Sequence, residues 1–156
     1  MTHLKEGDKA PDFLLNNQDE IKVALSDFKG SRLIIFFYPK DNTPGCTAEA
    51  CNLNENYADL TAKGFKIIGV SADTEKKHQN FIAKYGFQYD LLADTERKML
   101  NAYGVWGPKK FMGREFDGIH RTTFIISEGG VIEKVIKQVD TKNHTEQILK
   151  ELENNN

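Results

Sequence analysis

Cys46 and Cys51 are the only cysteines in the 156-residue chain, and the residues around the first define the chemistry open to it. Cys46 closes the run Tyr38-Pro39-Lys40-Asp41-Asn42-Thr43-Pro44-Gly45-Cys46, and Thr47-Ala48-Glu49-Ala50-Cys51 follows. Thr is a favoured N-cap and Pro a favoured first helical residue. The pattern therefore predicts a helix with Thr43 at the cap, Pro44 at N1 and Cys46 at N3. In such a first turn, free N–H groups and the positive end of the helix dipole gather. The thiolate is the nucleophilic form of cysteine, and a helix N-terminus with a nearby cation favours it. A sulfur so placed suits attack on a peroxide O–O bond. That reaction needs donors where charge develops on the leaving oxygen, and the Cys46 N–H, the Thr43 hydroxyl and one arginine would suffice. The product is a sulfenic acid, which condenses with a second thiol to a disulfide.

Cys51 is the second thiol. Five residues along a helix give a rise of about 7.5 Å and a turn of about 140° beyond one revolution. The Cα atoms would then lie more than about 8 Å apart, beyond the usual reach of about 7 Å for a disulfide. If the two cysteines join, the first turns of the helix must unwind. A plainer reading stands beside this one: Cys46 as a small apolar residue on a buried helix face. A zinc site is disfavoured, because His3, His78, His120 and His144 are scattered and none has ligand spacing to either cysteine.

The elements that must position these residues follow from periodicity. Leu33 to Tyr38 is a run of bulky and β-branched residues, the mark of a strand buried on both faces. Phe65–Val70 and Thr122–Ile126 read as further strands, and Val131–Ile136 follows the turn cluster Ser127-Glu128-Gly129-Gly130 as the second arm of a hairpin. Helical spacing joins Cys46, Ala50, Leu53, Tyr57 and Leu60 in one stripe, then His78, Phe81, Ile82 and Tyr85, then Ile148, Leu149 and Leu152. Asn143 and Glu146 fit a capping arrangement for the last helix. Ala-Asp-Thr-Glu occurs at 72–75 and 93–96, each read as a strand-to-helix junction with Asp or Thr as cap. Phe13–Leu15 and Ile21–Leu25 read as a small N-terminal hairpin. The expected fold is α/β with a mixed central sheet flanked by helices, in a single domain over 1–156 whose residues 151–156 form a polar tail.

Composition narrows the function. Lys and Arg number 21 against 23 Asp and Glu, a net charge of −2, with no basic excess to bind nucleic acid or an anionic membrane. The start of the chain lacks the apolar stretch of a signal peptide, and the longest apolar run is far too short to span a bilayer. The expectation is a cytoplasmic protein. In a reducing cytosol a cysteine pair points to catalysis, redox sensing or metal binding rather than to a structural staple.

Several segments resemble the peroxiredoxins, in particular their bacterioferritin-comigratory-protein (Q-type) subgroup. The active-site signature Pro-x-x-x-Thr-x-x-Cys is met by Pro39, Thr43 and Cys46. The subgroup's same-helix resolving cysteine lies five residues on, at Cys51. Its Arg-x-Thr-Phe strand is matched at Arg121-Thr122-Thr123-Phe124. Gly7-Asp8-Lys9-Ala10-Pro11-Asp12-Phe13 and Tyr103-Gly104-Val105-Trp106-Gly107 are also similar. The resemblance implies a thioredoxin-like fold, no metal or organic cofactor, a hydroperoxide substrate, a thioredoxin-like dithiol reductant and a monomer. By position it makes Cys46 the peroxidatic nucleophile and Cys51 the resolving thiol. Thr43 then bonds the peroxide, Pro39 shields the sulfur, Arg121 stabilises thiolate and developing charge, and Glu49 orients charged neighbours. Ser127 departs from the acidic residue common there in relatives, in a turn away from the chemistry. Two other readings stay open: a thioredoxin-type disulfide reductase, which normally uses Cys-x-x-Cys, and a redox-sensing binding module. His78 and His120 read as packing or surface residues, Trp106 and the phenylalanines as core, and Lys109-Lys110 as a solvated loop.

Overall fold

The computed structural model describes residues 2–153. Its centre is a seven-stranded sheet in the order β2-β1-β5-β4-β3-β8-β9. The strands are β1 (Leu14–Asn16), β2 (Lys22–Ala24), β3 (Arg32–Phe37), β4 (Phe65–Ser71), β5 (Asp90–Ala93), β8 (Thr122–Ile126) and β9 (Ile132–Ile136). β3, β4 and β5 run parallel, while β8 pairs antiparallel with β3, β9 with β8, and β1 with both β2 and β5. The helices are α1 (Pro44–Glu55), α2 (Tyr57–Ala62), α3 (Glu75–Tyr85), α4 (Lys98–Ala102) and α5 (His144–Glu153). The mixed sheet flanked by helices is the α/β architecture expected from the residue patterns, N-terminal hairpin included, and agrees with the thioredoxin-like fold that the resemblance implies.

β3 shows why the sheet is central. Its side chains alternate between two apolar layers, as a pleated strand requires. Leu33, Ile35 and Phe37 face one layer with Val70, Tyr103 and Phe124. Ile34, Phe36 and Tyr38 face the other with Cys46, Ala50, Leu53, Phe81 and Ile148. Each fully buried side chain of this size contributes on the order of 1.5–3 kcal/mol. This burial fixes the end of β3, from which the loop carrying the cysteine departs. Gly69 on β4 is needed for close approach: a Cβ there would sit 2.7 Å from both Leu91 and Phe36 side chains.

Several local expectations change. The stripe from Cys46 to Leu60 is two helices, because Asn56 turns its Nδ2 back to the Asn52 carbonyl at 2.8 Å and competes with the helical ladder. Thr74 caps α3 as expected, accepting from the Lys77 N–H. At the second Ala-Asp-Thr-Glu the helix starts later, after Arg97 at φ 63, and Asp94 reaches forward to the Leu100 N–H at 2.7 Å. At α5, Asn143 bonds Asp140 instead of closing a capping box, and Asn52 from α1 accepts the Thr145 N–H at 2.8 Å. Glu151–Glu153 complete α5 rather than opening a tail, and residues 154–156 of the expected tail lie outside the described residues. The Lys109-Lys110 pair lies in a separate hairpin, β6 (Trp106–Phe111) with β7 (Arg114–Ile119), not in a loop. On that hairpin Phe111 and Phe116 are exposed and so are not core, whereas Trp106, half-buried beneath Arg97, packs against the core layer that holds Tyr103 and Phe124.

Candidate active site

The loop after β3 delivers Thr43 to the N-cap of α1, with Pro44 at N1 and Cys46 at N3. The first helical bond runs from the Thr47 N–H to the Thr43 carbonyl at 2.8 Å, leaving the Gly45 and Cys46 amides outside the ladder at the positive end of the helix. The Thr43 hydroxyl does not cap the helix. It donates to the Lys40 carbonyl at 2.9 Å, which leaves its oxygen lone pairs available to accept a proton donor.

Arg121 sits just before β8, where the β3–β8 pairing brings it to the mouth of α1. Its Nη2 donates to the Cys46 sulfur at 3.3 Å, and its Nη1 to the Glu49 Oε1 at 2.8 Å. One planar fork thus spans residues 46 and 49, three apart on one helix face. Burial opposes the Arg121 charge, but Glu49 and Cys46 outweigh it and hold the guanidinium above its ordinary value. Gly45 allows this approach, since a Cβ there would lie 3.2 Å from Nη2. Cys46 is 1% exposed and Cys51 is half-buried, and neither is in a disulfide.

Behind Arg121 lies a polar cluster inside the core. Glu49 is fully buried, and burial, opposed by Arg121, raises its carboxyl to about 7. His144, also fully buried at the start of α5, faces it: Nε2 is 3.4 Å from the Glu49 Oε2. Burial lowers His144 to about 4. Its ring bonds Gln147 Oε1 at 2.9 Å and the Thr123 hydroxyl at 2.8 Å.

The sequence profile of the AhpC/TSA family matches residues 6–135. A protein of Haemophilus influenzae named as a putative peroxiredoxin bcp is 44% identical over 149 residues, covering 96% of each chain. Among solved structures, a cysteine-to-serine mutant of Xylella fastidiosa PrxQ superimposes with a TM-score of 0.91 at 30% identity, covering 99% of this chain and 98% of that one. The bacterioferritin comigratory protein of Xanthomonas campestris, described for its alkyl peroxide reduction activity, gives a TM-score of 0.84 at 34% identity, covering 91% and 90%. The chain is a peroxiredoxin of the AhpC/TSA family.

In this peroxiredoxin, Cys46, Thr43, Glu49 and Arg121 come together around the mouth of α1, and Pro39 is half-buried in the loop leading to it. That loop is pinned from below. Asp41 accepts from the Tyr38 hydroxyl, pairs with His78 Nδ1 at 2.6 Å, and gives its backbone N–H to Asp73 at 2.8 Å. His78 is therefore a buried post, its Nε2 donating to the Leu92 carbonyl at 3.0 Å. Further along α1, the buried Tyr89 hydroxyl donates to the Ala50 carbonyl at 2.8 Å, and Asn52 ties the helix to α5. Lys109 is a second cation at the site. Burial lowers its amine and Arg121 adds to this, Cys46 pulling the other way, while its Nζ donates to the Ile119 carbonyl at 2.8 Å.

Sequence reasoning missed Gly45, Thr123, His144 and Lys109. The one signal for His144 was its spacing of four from Ile148, which puts it on the buried face of the last helix. Among the described residues no group of three or more His, Cys, Asp and Glu side chains is placed to hold a metal ion, and no helix is long and apolar enough to cross a membrane.

Proposed function

We propose that this thiol-dependent peroxidase works through Cys46 as nucleophile, Cys51 as resolving thiol and a thioredoxin-like dithiol as reductant, on hydrogen peroxide and organic hydroperoxides. The observation that carries this reading is the Arg121 Nη2 at 3.3 Å from the Cys46 sulfur, at the N-terminus of α1. The thiolate attacks the terminal oxygen of R–O–O–H. The S–O bond forms as the O–O bond breaks, and the electron pair departs on RO⁻, which takes a proton from solvent to leave as ROH. Arg121 and the free Cys46 amide face the charge that develops. Thr43, its own proton committed to the Lys40 carbonyl, accepts from the peroxide O–H, and Pro39 screens the sulfur. The alkyl peroxide activity named for the X. campestris relative supports the organic substrates.

The sulfenic acid on Cys46 then condenses with the Cys51 thiol, releasing water and closing a disulfide. Both cysteines lie on α1, five residues apart, so the bond requires the first turns to unwind. The pins described above bracket what moves: Asp41 holds the loop before it, and Tyr89 and Asn52 hold the helix after it. An intramolecular partner thiol makes a second subunit unnecessary, which supports a monomer, and a dithiol that must be re-reduced after each turnover suits a reducing compartment such as the cytoplasm.

The test is intact mass after one equivalent of hydrogen peroxide. The wild-type chain is expected to lose two mass units as the disulfide closes. Cys51→Ser gains one oxygen on Cys46, and Cys46→Ser neither changes mass nor consumes peroxide. Normal turnover by Cys46→Ser would overturn the assignment. An oxidised Cys51→Ser that a thioredoxin system still recycles at the wild-type rate would remove Cys51 from the cycle.

A further inference from the structure

The buried cluster behind Arg121 contains an arrangement that the peroxidase reading leaves unused. The Glu49 Oε1 is taken by Arg121, but among the described residues its Oε2 accepts no hydrogen bond, although the side chain is wholly buried. A buried carboxylate oxygen without a donor is costly; a buried carboxylic acid with an acceptor in front of it is not. An acceptor is in front of it. The Gln147 Oε1 takes the Asp140 N–H at 2.8 Å while its Nε2 gives to the Gln138 carbonyl at 2.8 Å, which fixes the amide's orientation. His144 Nδ1, 2.9 Å from that Oε1, must therefore carry a hydrogen. In the neutral ring Nε2 is then a lone pair. It receives the Thr123 hydroxyl at 2.8 Å and faces the Glu49 Oε2 at 3.4 Å. A proton on either Glu49 or His144 resolves the mismatch between two facing acceptors.

We propose that Glu49 and His144 hold one proton between them, and that His144 is a positioning residue governing how much of the Arg121 charge is left for the Cys46 thiolate. With the proton in place the Glu49–His144 pair is electrically neutral and the guanidinium is directed to sulfur. When the proton leaves, Glu49 becomes an uncompensated carboxylate 2.8 Å from Nη1 and competes for the same cation. Glu49, raised from its ordinary value to about 7, and His144, lowered to about 4, agree with a single proton on the pair between those two values. The other groups facing the pair are Cys46 on the same helix, Arg121 and Thr123 beside and on β8, Tyr89 before β5, and Asp140 ahead of α5. Lys109 on β6 acts through Arg121. Tyr89, raised well above its ordinary value by burial and then by Glu49, stays neutral across this range.

The experiment measures the second-order rate of sulfur oxidation by hydrogen peroxide against pH in the Cys51→Ser chain, with infrared spectra of the same samples. The expected profile carries, on top of thiol ionisation, a fall of about fivefold near pH 7 as Glu49 gains its charge. Glu49→Gln removes that fall, and the protonated-carboxyl band seen at pH 6 in the parent goes with it. His144→Gln, whose amide donates to Oε2 and so favours the carboxylate, moves the fall to lower pH. A fall that survives in Glu49→Gln overturns the proposal, as does a parent spectrum with no protonated-carboxyl band assignable to Glu49. Should either variant fail to fold, imidazole ¹⁵N shifts of the parent decide: His144 as the Nε2–H tautomer at pH 7 refutes the arrangement. Because sulfur oxidation is read directly, failure of this proposal is distinct from failure of Cys46 as nucleophile, which would abolish the signal at every pH.

Discussion

Replacing Arg121 by Met keeps most of the side chain's apolar volume and removes its charge and its fork. Opposite charges about 4 Å apart attract by about 4 kcal/mol at an effective dielectric near 20. Two features of the site reduce that figure. Arg121 divides itself between the Cys46 sulfur at 3.3 Å and Glu49 at 2.8 Å, and its side chain is 23% exposed, which admits screening. Halving the attraction leaves about 2 kcal/mol, or about thirtyfold in the rate of peroxide attack at pH 7. The loss of fold stability is much smaller. Glu49, already raised to about 7, takes up a proton rather than remaining a buried unpaired anion, so thermal unfolding is expected to fall by only about 2–4 °C. The assay is quenched-flow mass measurement of Cys46 oxidation under pseudo-first-order peroxide. Arg121→Lys serves as the companion: it restores a cation without the second donor and recovers part of the rate. A rate for Arg121→Met within threefold of wild type, with unfolding unchanged, would refute the argument that this guanidinium supports the sulfur anion.

Gly45→Ala separates rate from stability. Alanine favours the helix by about 0.5–1 kcal/mol, while its Cβ at 3.2 Å displaces Arg121, so the protein should melt higher and react roughly two- to fivefold more slowly with peroxide. Tyr89→Phe removes the hydroxyl bonded to the Ala50 carbonyl, at a cost of about 1 kcal/mol; calorimetry should register the loss while the sulfenic-to-disulfide step accelerates, and an unchanged step would show that this pin does not restrain the helix. For pH, the unfolded chain carries ordinary values of 4.5 for Glu49 and 6.5 for His144, against about 7 and about 4 in the fold. Between pH 4.5 and 6.5 both states bind one proton and the pair adds no slope to stability. In Glu49→Gln only His144 remains: the unfolded chain then binds more protons, and denaturant titrations should show stability rising with pH from about 4 to about 6.5, on the order of 3 kcal/mol in all.

The strands of the central sheet were legible because β3, β4 and β8 are buried on both faces and their apolar runs have no competing period. The cap, Pro44 at N1 and Cys46 at N3 were legible because those preferences are local. The capping bond of Thr43 was not, since the Lys40 carbonyl three residues back competes for its hydroxyl, and only the loop's course reveals that. Short elements with mixed patterns, β5, α4 and the β6–β7 hairpin, escaped because Lys109, Lys110 and Arg114 break any alternation. The cluster around Glu49 was half visible. Its place three residues after Cys46 put it on the cysteine's face, but the partner that matters, His144, is 95 positions away, and no local pattern joins them.

Residues 46 and 49 occupy a single turn of α1, and Arg121 grips both. Any unwinding that carries the oxidised sulfur toward Cys51 must also withdraw the Glu49 carboxyl group, whose Oε1 holds the guanidinium in place. The nucleophile and its aiming group leave together, so a half-assembled centre, with a misdirected arginine over a reactive sulfur, has little opportunity to exist. Refolding of one helical turn then restores every contact at once, which makes readiness for the next peroxide an all-or-none property of that turn.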